Sequence, residues 1–143
     1  MPFSGTHEHT LDAKNRLTVP AKFRGQLADG VTVAMGLDPC ATIWVTSEYE
    51  AFVAKALAQV NPMSEKARKL ERFLGGGSDT TALDAAGRVM VAPSILRYAG
   101  LTKEVVVVGT RLCLEVWNRE RWDAIQGGLP DEAIALAETL GDL

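Results

Sequence analysis

Two arginines stand four residues after an aspartate in nearly identical surroundings. They are Asp12 and Arg16 within LDAKNRLTVP (11–20), and Asp84 and Arg88 within LDAAGRVMVA (83–92). A guanidinium at the end of a tight turn can do two kinds of chemistry. Its planar fork matches the O6 and N7 acceptors of a guanine in the DNA major groove, at roughly 1–3 kcal/mol of base discrimination per bidentate contact. Alternatively, it pairs with the preceding aspartate and serves only as a clamp between two strands. Both readings stand for each arginine, but the tips differ. The first carries Lys14, with Lys22 and Arg24 close behind, whereas the second has Ala86, Ser94 and Leu96 at the matching places. The first turn is therefore the stronger candidate for DNA, with Lys14 adding a phosphate or base contact, and the second for a structural clamp.

Each motif reads as a hairpin. THEHTLD alternates weakly as a strand, AKN turns, and RLTVP returns. Asn15 and Gly87 occupy equivalent positions, and Asn and Gly are the residues that best tolerate a left-handed backbone. Asp12 and Asp84 can accept backbone N–H bonds and close the turns from within. These four residues are the hairpin organisers.

Other chemistry-bearing residues form no convincing site. His7 and His9 would share one face of a strand, but with no third ligand near them they imply no metal centre. Cys40 and Cys113, equivalent in two apolar strands, read as buried, inert thiols. The glycines of GGGSD (75–79) lack the Lys-Ser/Thr of a phosphate loop. Neither histidine has a marked Ser or Cys partner, and each aspartate is explained by its turn. No catalytic residue, enzyme activity, cofactor or small-molecule substrate is implied. Lys66, Arg68, Lys69 and Arg72 read as a solvated helix face with a Glu65–Lys69 pair, a DNA contact or a subunit interface being the alternatives.

The surrounding elements repeat as well. An offset of 72 pairs Leu11 with Leu83 and Val19 with Val91; an offset of 73 pairs Cys40 with Cys113, Trp44 with Trp117, Tyr49 with Trp122 and Phe52 with Ile125. Two copies are too few for a solenoid, so two half-barrels about a pseudo-two-fold are expected. Each copy predicts a short helix after the return strand, two further strands (VTVAMG and TIWV; EVVVVGT and LEVW) and a helix. Trp44 and Trp117, at the paired strand ends, belong to the core. Ser47 and Glu50 spell a capping box for a helix to about Val60; Asn118 caps its counterpart, and Ser64 opens a helix between the copies. GGGSD reads as a flexible joint and PDEAIALAETLGDL as an acidic helix. The expected segments are a first repeat (1–53), a helical connector with the Gly-rich joint (54–78), a second repeat (79–125) and a helical tail (126–143).

With 143 residues, 47% apolar and 23% charged, the chain can bury a core of one ordinary domain. It has no apolar run long enough for a membrane span, and MPFSGTHEHT has no export-signal character, so a reducing cytoplasm is expected. The net charge of −3 excludes a globally basic nucleic-acid binder. The imbalance is uneven: residues 1–75 hold nine basic against eight acidic side chains, and 76–143 hold six against ten.

The tandem Asp-x-x-x-Arg hairpins, with GRV entering the second and EVWNRERW near its close, resemble the MraZ family from about residue 3 to about 125. These are bacterial regulators of the division and cell-wall gene cluster, built from two AbrB-like (SpoVT-AbrB) modules. The resemblance implies a mainly β fold with peripheral helices, a double-split β-barrel of two pseudo-symmetric AbrB-like repeats. It implies a ring-shaped homo-oligomer whose hairpins face double-stranded DNA, reading short G-containing repeats upstream of the protein's own operon as a nucleoid-associated repressor. It places Lys14 and Arg16 at the bases and Arg24 at the backbone, and leaves open whether Arg88 touches DNA. Asn15 departs from the family's usual Gly, and Ala92 stands where the first copy has Pro20. AbrB-like folds also serve as antitoxins or scaffolds, but an antitoxin's disordered tail is replaced here by a second folded repeat.

Overall fold

A computed structural model describes residues 2–142. The first repeat runs β1 (Thr6–Thr10), β2 (Arg16–Thr18), α1 (Ala21–Arg24, continued by a 3-10 turn over Gly25–Leu27), β3 (Val31–Met35), β4 (Ala41–Val45), α2 (Thr46–Leu57) and α3 (Glu65–Gly76). The second follows the same order: β5 (Ser78–Thr81), β6 (Arg88–Met90), α4 (Pro93–Ala99), β7 (Glu104–Gly109), β8 (Leu114–Asn118), α5 (Arg119–Gln126) and α6 (Leu129–Glu138). The one-residue shift of the proline sets the two short helices apart. Pro20 lies just outside α1, whereas Pro93 is the first residue of α4, where its missing N–H is harmless.

The strands form a six-stranded antiparallel sheet ordered β1-β7-β8-β4-β3-β5 and a two-stranded sheet of β2 with β6. Hairpins β3–β4 and β7–β8 stay within their repeats and meet where Ile43 faces Leu114. The outer strands are exchanged: β1 lies on β7 of the other repeat, with His7 opposite Val107, and β5 lies on β3. The order therefore reads the same when the repeats are interchanged.

This corrects the expected hairpin. The turn is hairpin-like only at its base, where Asp12 N–H donates to the Arg16 carbonyl and Asn15 N–H to that of Asp12, both at 3.0 Å. Beyond it, β1 and β2 diverge into different sheets. The reason is burial: Leu17, Val19, Val89 and Val91 enter a core cluster with Phe23, Leu27, Ile43, Ile95, Val105 and Leu114. A β1–β2 hairpin would leave that core to one repeat, whereas pairing β2 with β6 closes a single core over both.

Other expectations sort by local physics. Ser64 and Asn118 cap α3 and α5, accepting from the N–H groups of Ala67 (3.2 Å) and Arg121 (3.1 Å). The Ser47 capping box does not form. Helix α2 starts at Thr46 behind Val45 with no side-chain cap, and the Thr46 hydroxyl instead accepts from Thr32 at 3.1 Å. The glycines of 75–77 make no loose joint: Gly75 and Gly76 finish α3, Gly77 caps it, and Ser78 enters β5. Cys40 and Cys113 each sit one residue ahead of a strand rather than inside it, and both are buried. Burial pushes both thiols up, Cys113 to about 11. Trp44 packs with Ala34, Tyr49 and Cys113 in a second cluster. His7 and His9 share a strand face with rings 6.5 Å apart, and no group of three candidate metal ligands exists among the described residues. No described helix is long and apolar enough to cross a membrane.

Candidate nucleic-acid interface

The two Asp-x-x-x-Arg segments come together across the pseudo-two-fold. In the β2–β6 ribbon Arg16 faces Met90, Leu17 faces Val89 and Thr18 faces Arg88. Successive side chains in a strand point to opposite faces. Leu17 and Val89 are fully buried, so Arg16, Thr18, Arg88 and Met90 form the outer face. Each strand is tied to the opposite turn, Val19 N–H donating to the Gly87 carbonyl (2.9 Å) and Val91 N–H to that of Asn15 (3.0 Å). A two-stranded ribbon is one of the elements that a major groove admits.

Each turn is organised by its aspartate. Asp12 Oδ1 accepts from the backbone N–H groups of Lys14 and Arg16 at 2.9 Å, and Oδ2 accepts from Arg16 Nε at 2.7 Å. Asp84 makes the same set with Ala86, Arg88 and Arg88 Nε, the last at 2.8 Å. Asn15 and Gly87 take the left-handed conformation, with φ of 58° and 77°. The four charges also face one another across the ribbon: Arg16 Nη1 lies 4.0 Å from Asp84 Oδ2, and Arg88 Nη1 lies 3.9 Å from Asp12 Oδ2. Clamp and reader are thus compatible. The Nε atoms face inward to the carboxylates, while the terminal amino groups of both arginines make no hydrogen bond among the described residues.

The backbone N–H of Arg16, ahead of its side chain and that of Lys14, holds the Asp12 carboxyl below its ordinary value of 3.8; Arg88 does the same for Asp84. A carboxylate depressed by folding contributes stability above the unfolded value, and this is lost as pH falls through the lower folded value. The turns should therefore stay closed at neutral pH and open only below pH 3.8. The Arg16 and Arg88 amide resonances are expected to hold position down to that pH and then shift together. A midpoint above it would contradict the assignment.

Arg24, placed by its sequence neighbours at the first turn, lies at the second. Its Nε donates to the Val19 carbonyl at 3.0 Å, and its side chain covers Gly87 where a Cβ would sit. The second turn, without a lysine of its own, thereby gains a cation from the first repeat. Gly87→Ala should cost about 1–3 kcal/mol through backbone strain, with added cost from displacing Arg24. Urea unfolding reads this directly, and Asn15→Gly, compatible with its backbone, should change the midpoint little.

Lys14 stands exposed at the first tip. Lys22 instead lies with its Nζ 4.9 Å from the Phe23 ring centroid. The basic run of α3 sits on a helix packed against α2, β3 and β5. Sequence reasoning missed Thr18 and Met90, which period-two alternation in RLT and RVM would have placed beside the arginines. It also missed Lys103, whose backbone carbonyl accepts from Leu11 N–H and which lines a groove with Asp12, Ala13 and Asn15. That residue comes from the other repeat, so no local signal marks it.

Residues 2–73 and 74–140 each match the family described as "MraZ protein, putative antitoxin-like". Among curated relatives, the Transcriptional regulator MraZ of Saccharopolyspora erythraea is 45% identical over 120 residues, covering 84% of this chain and 83% of the relative. The protein of that name from Cutibacterium acnes is 42% identical, covering 85% and 84%, and that from Herpetosiphon aurantiacus 37%, covering 95% and 94%. With both repeats matched and relatives aligned over most of their length, the chain belongs to the MraZ family.

Proposed function

We propose that the protein is a sequence-specific DNA-binding transcriptional regulator that reads guanines with the outer face of its β2–β6 ribbon. The observation that carries this reading is the pair of arginines on that face, each anchored through Nε with terminal amino groups that make no hydrogen bond among the described residues. Arg16 and Arg88 take the base contacts, Lys14 a phosphate or base contact, and Arg24 and Lys103 phosphates. Asp12, Asn15, Asp84 and Gly87 hold the turns. The names of the relatives support regulation of transcription.

The finer reading is a cytoplasmic, nucleoid-associated repressor of its own operon, the division and cell-wall cluster, acting on short G-containing repeats. In this reading the fold is a double-split barrel with segments 1–53 and 79–125 as its halves, which the common core of the two sheets supports. The ribbon's two aspartates neutralise its two arginines, so a single copy should bind weakly. Several copies on a ring can engage successive repeats together and raise avidity by roughly 10²–10⁴.

Fluorescence anisotropy with DNA from upstream of the protein's gene, against a scrambled duplex at several salt concentrations, tests this. A preference of roughly 10³ or more is expected, with affinity falling as salt rises. Equal affinity for both duplexes at every salt would overturn it in favour of a protein-binding role.

A further inference from the structure

The outer face of the β2–β6 ribbon holds one side chain to which base reading by arginine gives no task. Met90 is 51% exposed, and among the described residues it is the one large apolar side chain of either ribbon strand that stands open. It belongs to neither core cluster, so packing does not explain it. Strand geometry does not call for it either. The matching place in the first repeat, two residues after the arginine, is held on the same face by the polar Thr18.

The ribbon does fix the neighbour of Met90. Arg16 and Met90 are register partners, as are Thr18 and Arg88. Side chains directly opposite on one face of an antiparallel pair stand about 5 Å apart at Cβ, and one base step rises about 3.4 Å. With Arg16 on the guanine of one base pair, the Met90 methyl group therefore reaches the next. The arginines are equivalent across the pseudo-two-fold and chemically identical, so alone they would read a duplex equally in either direction. Met90 and Thr18 hold the remaining two positions of the face and break that symmetry.

The chemistry of the side chain narrows what it meets. A thioether donates no hydrogen bond and accepts one only weakly, so the polar base edges offer it little. The one apolar group that a base pair shows in the major groove is the C5-methyl of thymine. A long, unbranched and polarizable methionine adapts readily to such a surface.

We infer that Met90 is a specificity-determining residue, packing against the C5-methyl of a thymine in the base pair next to the guanine held by Arg16. Thr18, beside Arg88, carries a hydroxyl that suits more than one base and selects less. The favoured site is then asymmetric, with thymine beside one guanine, and it sets the direction in which the ribbon lies on the duplex. This rests on the proposed reading of DNA by the ribbon and adds to it the base beside the guanine.

The test is fluorescence anisotropy on a labelled duplex from upstream of the protein's gene, made in two versions. One carries thymine throughout, and the other carries deoxyuridine for thymine in every pair beside a G·C pair, which removes only the C5-methyl. Wild type, Met90→Ala and Met90→Leu are compared on both, with circular dichroism and the urea midpoint checking that these exposed substitutions keep the fold. The wild type is expected to bind the uracil duplex about 4-fold more weakly, the worth of one buried methyl group. Met90→Ala should already be weakened to that degree on thymine and lose nothing more with uracil, whereas Met90→Leu should keep the uracil penalty. An equal penalty in Met90→Ala and the wild type, or none in the wild type, would overturn the assignment of Met90 while leaving the arginines as readers. Wild-type indifference between upstream and scrambled DNA would overturn the ribbon reading itself and this inference with it.

Discussion

Arg16→Ala is expected to lower affinity for the upstream DNA by about 5- to 150-fold per ribbon engaged, the equivalent of one lost bidentate guanine contact. Affinity for scrambled DNA should change far less, because phosphate contacts are indifferent to sequence. The substitution leaves Asp12 bonded to two backbone N–H groups, so the turn should persist. A partly exposed ion pair contributes under about 1 kcal/mol, which keeps the stability loss small beside the loss of binding. Arg16→Lys should not restore binding, since an ammonium lacks the fork. Arg88 repeats the geometry on the same outer face, and Arg88→Ala is expected to weaken binding too. The sequence favours a clamp over a DNA contact for Arg88 only because the second tip is bare, and Arg24 lying over Gly87 supplies that turn with a cation.

Leu17→Ala should destabilise the fold by about 2–5 kcal/mol, read as a lower urea midpoint. Leu17 is fully buried, faces Val89 across the ribbon and packs in the core both repeats build. Because the same strand holds Arg16 outside and Leu17 inside, the cavity should also loosen the ribbon and reduce DNA affinity. Thr18→Ala, one residue on and outward, should leave stability nearly unchanged. Equal midpoints for Leu17→Ala and the wild type would contradict the shared-core account.

The repeat, the Asx-closed turns and the left-handed positions were legible because local chemistry dictates them. An aspartate four residues before an arginine can satisfy the turn's own N–H groups, and Asn15 or Gly87 admits a positive φ. The exchange of β1 and β5 was not, since THEHT and SDTT would satisfy their backbones on any neighbouring edge. Only burial of Leu17 and Val89 in a common interior selects the pairing. The crossing of Arg24 to Gly87 and the approach of Lys103 to Asn15 follow from that exchange and are equally invisible to local reasoning. The Ser47 box failed for a similar reason: Thr46, one residue earlier, starts the helix and takes a bond from Thr32 on β3.

The central claim is that arginines on the β2–β6 face read guanine N7 and O6. It is tested most directly by a double-mutant cycle that compares wild type and Arg16→Ala on upstream DNA containing guanine or 7-deazaguanine, which lacks N7. The account predicts that 7-deazaguanine weakens the wild type markedly and weakens Arg16→Ala less, because only the contacts of Arg88 then remain to be lost. Equal weakening of both proteins would mean that Arg16 does not touch the guanines, and would contradict the account of the ribbon face as an arginine-paired reader.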